Sequence, residues 1–248
     1  MTALLVAAFF MATAARGGTT FEFEGEKKGT ASYSFRGRAL LDGDNIRYEI
    51  TEGAHPVFNP GITIVSIDGG QLLLIVDHRQ KTYFYRRTDS MASPVGTFQA
   101  PGNQSAGKPE ITVEARGQQP FEGKSGKSLR IDVRYPIHSL LEGERLHAKV
   151  AATAEITFLP INGDAVPYGL HFLFKTGFPA IDRRIAGARA KRGLPVAESL
   201  SVTRTIDDGP PVTESMTVRI SNVKEAPVDA GLFRPPEGYR FEEPTFGY

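Results

Sequence analysis

Cysteine and tryptophan are both absent from this 248-residue chain. Without cysteine there are no disulfides, zinc–thiolate sites, iron–sulfur clusters, thiol nucleophiles or lipid anchors on sulfur. Excess charge of one sign is lacking too: 29 Lys+Arg face 28 Asp+Glu, for a net charge of +1. That excludes nucleic-acid affinity built on surplus cations, so no nucleic-acid partner is expected. No apolar run reaches the length of about 20 residues that a membrane-spanning helix needs. His55, His78, His138, His147 and His171 never fall at H-x-H or H-x-x-x-H spacing, and no metal site is expected. There is no G-x-S-x-G elbow, no H-E-x-x-H, and no G-x-G-x-x-G or Walker pattern. Gly17-Gly18 and Gly69-Gly70 read as turns rather than phosphate cradles. A glycosidase needs two converging carboxylates, and spacing singles out none. No catalytic residue and no cofactor is assigned.

What is present is ordinary globular material: 40% hydrophobic and 23% charged residues. No shift in composition divides the chain, which predicts a single domain over 16–248. Residues 2–15 are apolar or small and uncharged, and Ala12-Thr13-Ala14 has the form of an A-x-A cleavage site. Residues 1–15 therefore read as a signal peptide, although no Lys or Arg precedes the apolar run. The expected location is periplasmic or secreted. With no Cys after the run, the mature chain is not a lipoprotein.

The dominant period is two. Phe21 and Phe23 alternate with Glu22 and Glu24; Tyr33, Phe35, Gly37, Ala39 and Leu41 alternate mostly with polar residues. Asp42-Gly43 then leads into Ile46, Tyr48 and Ile50, a hairpin signal. Ile62–Ile67, Asp68-Gly69-Gly70 and Leu72–Val76 form a second, and Asp77–Lys81 turns the chain into Thr82–Tyr85. Residues 88–109 lack periodicity and read as a long surface loop. Further strands are expected at Ile111–Ala115, Leu129–Tyr135, Leu146–Phe158, Leu170–Phe174, Ser199–Ile206 and Thr213–Val223. Leu146–Phe158 is alanine-rich, and helix propensity competes there. Its unbroken alternation favours a strand.

One stretch has helical spacing. Phe178, Ile181, Ile185 and Ala188 recur every three or four residues, with Pro179 near the start and Gly193 after the end. Its basic residues are Arg183, Arg184, Arg189, Lys191 and Arg192, against the one acid Asp182. Two readings stay open. The basic side is a solvated outer face, or it meets an anionic membrane surface or an acidic partner. Leu72–Val76, Tyr83–Tyr85 and Leu170–Phe174 are bulky on both faces. Packing under a helix accounts for that, and so does a bound apolar ligand.

Two segments carry a resemblance. Asp68–Phe84 places a strand ending in Asp before a short basic turn and a Lys-Thr-Tyr strand. Val223–Arg240 runs from a strand to a Phe, a Pro and a Gly-Tyr followed by a basic residue. Both are similar to the lipoprotein-carrier-like families (LolA, LppX and related domains), although the loop at 88–109 has no counterpart there. The resemblance implies a mainly β fold: a large curved antiparallel sheet, an unclosed half-barrel, with one or two helices covering its concave face. It also implies an apolar cavity for acyl chains. The expected function is a non-enzymatic carrier or binding protein for a hydrophobic ligand, a lipid or an acylated protein. The expected ligand contacts are Phe172, Phe174, Phe178, Ile181 and Ile185. The basic residues of the helix are expected to meet a membrane or partner. The alternatives are an envelope protein-interaction or sensing module without lipid, and a hydrolase with dispersed residues.

Overall fold

The computed structural model describes residues 16–55, 58–88, 104–141, 144–160, 176, 178–190 and 192–243. The expected signal peptide (1–15), residues 89–103 of the expected loop and the expected strand at Leu170–Phe174, with His171, lie outside the described residues. Among the described residues, thirteen strands form one sheet. They are β1 (Arg16–Lys28), β2 (Tyr33–Asp42), β3 (Asn45–Gly53), β4 (Ile62–Ile67), β5 (Leu72–Asp77), β6 (Thr82–Arg87) and β7 (Gln104–Ala106). Then follow β8 (Glu110–Phe121), β9 (Lys124–Leu141), β10 (Glu144–Leu159), β11 (Leu194–Ile206), β12 (Val212–Val228) and β13 (Arg240–Phe241). A helix, α1 (Pro179–Arg189), precedes β11.

The order across the sheet is β13-β6-β5-β4-β3-β2-β1-β12-β11-β10-β9-β7, with β8 also on β9. Every pair is antiparallel except β13 with β6. The two edges do not pair among the described residues, so the curved sheet is a half-barrel and not a closed one. Successive hairpins build β2 to β6, and the first strand is sewn between β2 and β12.

Alternation decides which side of each strand is buried. On β1, Phe21, Phe23, Gly25 and Lys27 are buried while Glu22, Glu24, Glu26 and Lys28 are exposed. Gly25 sits opposite Phe35, whose ring covers it: a Cβ there would lie 2.2 Å from the Phe35 Cζ. The turn between β4 and β5 takes positive φ at Asp68, Gly69 and Gly70 (52°, 62° and 88°), which the two glycines adopt without strain. Asp77 shapes the next turn: its Oδ1 accepts from the Arg79 and Gln80 backbone N–H groups at 2.9 and 3.1 Å.

The alanine-rich stretch is strand β10, in register with β9 and β11 along its length. Two long ladders outweigh the helix propensity of its residues. Three expectations are corrected. Gly17 and Gly18 are not a turn but part of β1, where Gly18 leaves room for Val228: a Cβ would meet the Val228 Cγ2 at 2.4 Å. The loop read over 88–109 ends early, because Gln104–Ala106 pairs with β9 as β7. The helix also stops at Arg189, short of 192.

Two apolar clusters result. The larger covers the inner face from β5 to β9 and includes Ile181 and Ile185 of α1. The smaller lies on the outer face, where Val65, Leu74, Val76 and Val228 meet Phe233 from the C-terminal segment. That segment is fastened by His78, whose Nδ1 is 2.9 Å from the Tyr239 Oη and whose Nε2 is 2.8 Å from the Thr63 Oγ1.

Candidate functional site on the inner face

The inner face is set by strand parity. From β5 to β9 it presents residues such as Ile75, Ile64, Tyr48, Phe23, Ile220, Val202, Val150 and Tyr135, all buried. Helix α1 lies over it. Phe178 is the residue before the first helical turn, and its ring meets Tyr135 edge-on at 5.5 Å. Ile181 is 1% exposed and Ile185 8%, which places two of the expected ligand contacts against the apolar face. Phe172 and Phe174 lie outside the described residues. The start of the helix is fixed by Asp182, whose Oδ1 accepts from the Thr176 N–H at 2.8 Å and from its hydroxyl at 2.7 Å.

The basic residues divide. Arg183, Arg184 and Arg192 are exposed, and the Arg192 Nε donates to the Ala188 carbonyl at 2.6 Å. Arg189 points the other way. Its side chain is 3% exposed, and both guanidinium nitrogens donate to Glu198 on β11 at 2.8 Å. The expectation that Arg189 meets a membrane or partner is corrected: at this helical position the arginine belongs to the buried face. Lys191 lies outside the described residues.

A second ionic group sits at one end of the same face. Lys27 on β1 is 4% exposed, and its Nζ donates to Glu214 on β12 at 2.8 Å and to the Ala31 carbonyl at 2.9 Å. Arg204 on β11 reaches the other oxygen of Glu214 at 2.7 Å. Tyr33 stands directly across from Lys27 in the β1–β2 ladder, and its buried hydroxyl has no hydrogen-bond partner among the described residues. Burial, and then the Glu214 charge, push the Tyr33 phenol up to about 12. The His55 ring lies 4.6 Å from the Tyr33 ring. Burial, and then the Lys27 charge, hold His55 below its usual value. Tyr135 is pushed well up by burial first, then by Asp182, while the Arg204 charge opposes.

None of Lys27, Tyr33, Arg204, Glu198 or Glu214 stands out by spacing or motif. The available signal is parity: continuing Phe21, Phe23, Gly25 by two reaches Lys27. No group of three or more His, Asp or Glu among the described residues is placed to hold a metal ion. His138 and His147 pair across β9 and β10 with Nδ1 atoms 3.0 Å apart, exposed and remote from the inner face. The outer face carries a trough of about 760 Å³ lined by Glu24, Glu26, Arg36, Glu52 and Arg219 among others. Its mixed charge is the opposite of what an acyl chain needs. No helix among the described residues is long and apolar enough to cross a membrane.

No protein-family model matches the chain, and no curated protein matches it. Among solved structures it is similar to an uncharacterized conserved protein from Thermus thermophilus, at 7% identity and a TM-score of 0.36, covering 89% of each chain. It is also similar to a LolA superfamily protein from Nitrosomonas europaea, at 9% identity and a TM-score of 0.35, covering 88% of this chain and 90% of that one.

Proposed function

We propose that the chain is an exported, non-catalytic carrier or binding protein for a hydrophobic ligand, a lipid or an acylated protein, held on the inner face beneath helix α1. One observation carries this reading. A broad apolar face on an unclosed sheet is overlaid, among the described residues, by a single helix of 11 residues. Such a helix is a small element to lift. Burial supplies the affinity: at about 0.8 kcal/mol per methylene, a dozen methylenes gain about 10 kcal/mol before ordering costs. Arg183, Arg184 and Arg192 face solvent and suit contact with an anionic membrane or partner during loading.

The test is native mass spectrometry of protein from the soluble envelope fraction of its own host. A discrete added mass that extracts into organic solvent and fragments as a lipid is expected. Ile181→Asp with Ile185→Asp is expected to lose that mass while far-UV circular dichroism still reports the sheet. A bare mass for the wild-type chain, or retention unchanged in the variant, counts against the reading. A partner-binding scaffold is the second reading, favoured by β8, where residues 112–120 are all exposed. Stoichiometric recovery of one envelope protein without lipid would favour it.

A further inference from the structure

The inner face is apolar along most of its width and ionic at one rim. That rim lies beside the turn joining β1 to β2, where the Lys27 Nζ caps the Ala31 carbonyl. Two polar groups there are incompletely used. Lys27 has three N–H donors; one goes to Ala31 and one to Glu214. The Tyr33 hydroxyl has no partner among the described residues, although it is shielded from solvent. These two residues are direct neighbours across the β1–β2 ladder, on the inner side. A buried donor left unanswered costs about 1–3 kcal/mol. Two such donors on ladder-paired residues, one of them held by a carboxylate shared by two cations, are matched by an incoming acceptor of negative charge.

Resting on the hydrophobic-ligand reading above, we infer that the ligand is an acidic amphiphile, with its acyl chain along the inner face and its anionic oxygens at Lys27 and the Tyr33 hydroxyl. The chemistry of both donors supports this. Lys27 supplies charge and Tyr33 supplies a neutral donor, since its phenol is pushed up to about 12 and keeps its proton at neutral pH. Glu214 holds Lys27 in place and, from its other oxygen, Arg204. A neutral hydroxyl accepts from these donors but brings no charge to oppose that of Lys27, and charge-assisted hydrogen bonds are the stronger ones, so head charge distinguishes ligands of equal chain length. A carboxylate and a phosphate monoester share the required chemistry.

The experiment uses delipidated mature protein with palmitate, hexadecanol and hexadecyl phosphate as probes, each below its aggregation limit. Binding is read by native mass spectrometry and by competition. Palmitate is expected to bind at least about 10-fold tighter than hexadecanol, a difference of about 1.4 kcal/mol. Lys27→Met is expected to erase that preference, so that palmitate and hexadecanol bind alike. Tyr33→Phe, which removes only the hydroxyl, is expected to reduce the preference several-fold, and it carries the test should Lys27→Met unfold. Tighter binding of hexadecyl phosphate than palmitate assigns the site to phosphate; the reverse assigns it to carboxylate. Equal binding of acid and alcohol, or a preference that survives both substitutions, overturns the head-group inference while the hydrophobic-ligand reading stands. Binding of none of the three probes overturns both.

Discussion

Glu198→Gln removes the charge that holds Arg189 on the inner face. The pair is bidentate, at 2.8 Å on both arms, with side chains only 3% and 9% exposed. Taking one partner from a buried pair leaves the other charge uncompensated, which costs about 3–5 kcal/mol. Glutamine keeps one acceptor oxygen, so the expected loss is near the lower figure. Glu198→Leu keeps none and lies near the upper one. Against the total of about 5–15 kcal/mol typical of a folded domain, either is a large fraction. Arg189→Met with Glu198→Leu behaves differently. With both charges gone and comparable volume retained, the expected change is near zero or slightly stabilising. The assay is urea unfolding followed by far-UV circular dichroism and tyrosine fluorescence, because the chain has no tryptophan. A Glu198→Gln cost below about 1 kcal/mol refutes the reasoning, and so does a double variant as unstable as the single one.

Three further outcomes are expected. Phe58 is 1% exposed and stacks on Phe35 at 4.2 Å, so Phe58→Ala is expected to cost about 3–5 kcal/mol in the same unfolding assay. Gly37→Ala brings a Cβ to 2.0 Å from the Glu49 carbonyl oxygen and 2.7 Å from the Phe23 ring; the β2–β3 ladder must part, and a loss of about 1–3 kcal/mol or more is expected. His55 and His78 are both held below their usual value, by burial first and then by Lys27 and Arg47 respectively. The folded chain therefore prefers both rings neutral. Below about pH 6.5 the unfolded chain takes up protons that the folded one refuses, so the melting temperature falls as pH drops through that value. His78→Gln is expected to flatten the dependence, and a melting temperature unchanged from pH 7.5 to 5 argues against it.

The sheet is legible in the sequence because its strands are half-buried, and half-burial writes itself as alternation. Phe21 to Glu24 and Leu146 to Phe158 state both the strand and its face. Turns are legible where Asp-Gly or an Asx side chain has a steric task, as at Asp68 and Asp77. Gly17 and Gly18 mislead because glycine in a strand serves a neighbour elsewhere in the chain: Val228 fills the space above Gly18, and nothing local announces it. The two segments that carry the sequence resemblance meet in space, since Tyr239 is bonded to His78 and the Arg240 N–H donates to the Lys81 carbonyl at 3.0 Å. Arg189 reads with the wrong face because a run of basic residues on a helix normally faces water. Its partner Glu198 lies on β11, and only the docking of helix on sheet reveals the pair.

Stability alone does not require ions on this face. Well-packed apolar residues in place of Arg189 and Glu198 would hold the helix at least as firmly. What an ion pair adds is a difference between the closed and open states. Were α1 to lift, as the proposed function requires, Arg189 and Glu198 would regain their hydration, which would offset part of the lost attraction. Ile181 and Ile185 gain nothing of the kind, since exposing them costs about 25 cal/mol per Å². A helix held by both kinds of contact is thus easier to open than one held by apolar contacts of the same area. The Arg189→Met and Glu198→Leu pair of substitutions separates the two properties: equal or greater stability, but slower exchange of whatever lies beneath the helix. For a protein that only had to fold, this arrangement would confer no advantage. Under the proposed ligand reading, it would make the open state of the helix less costly.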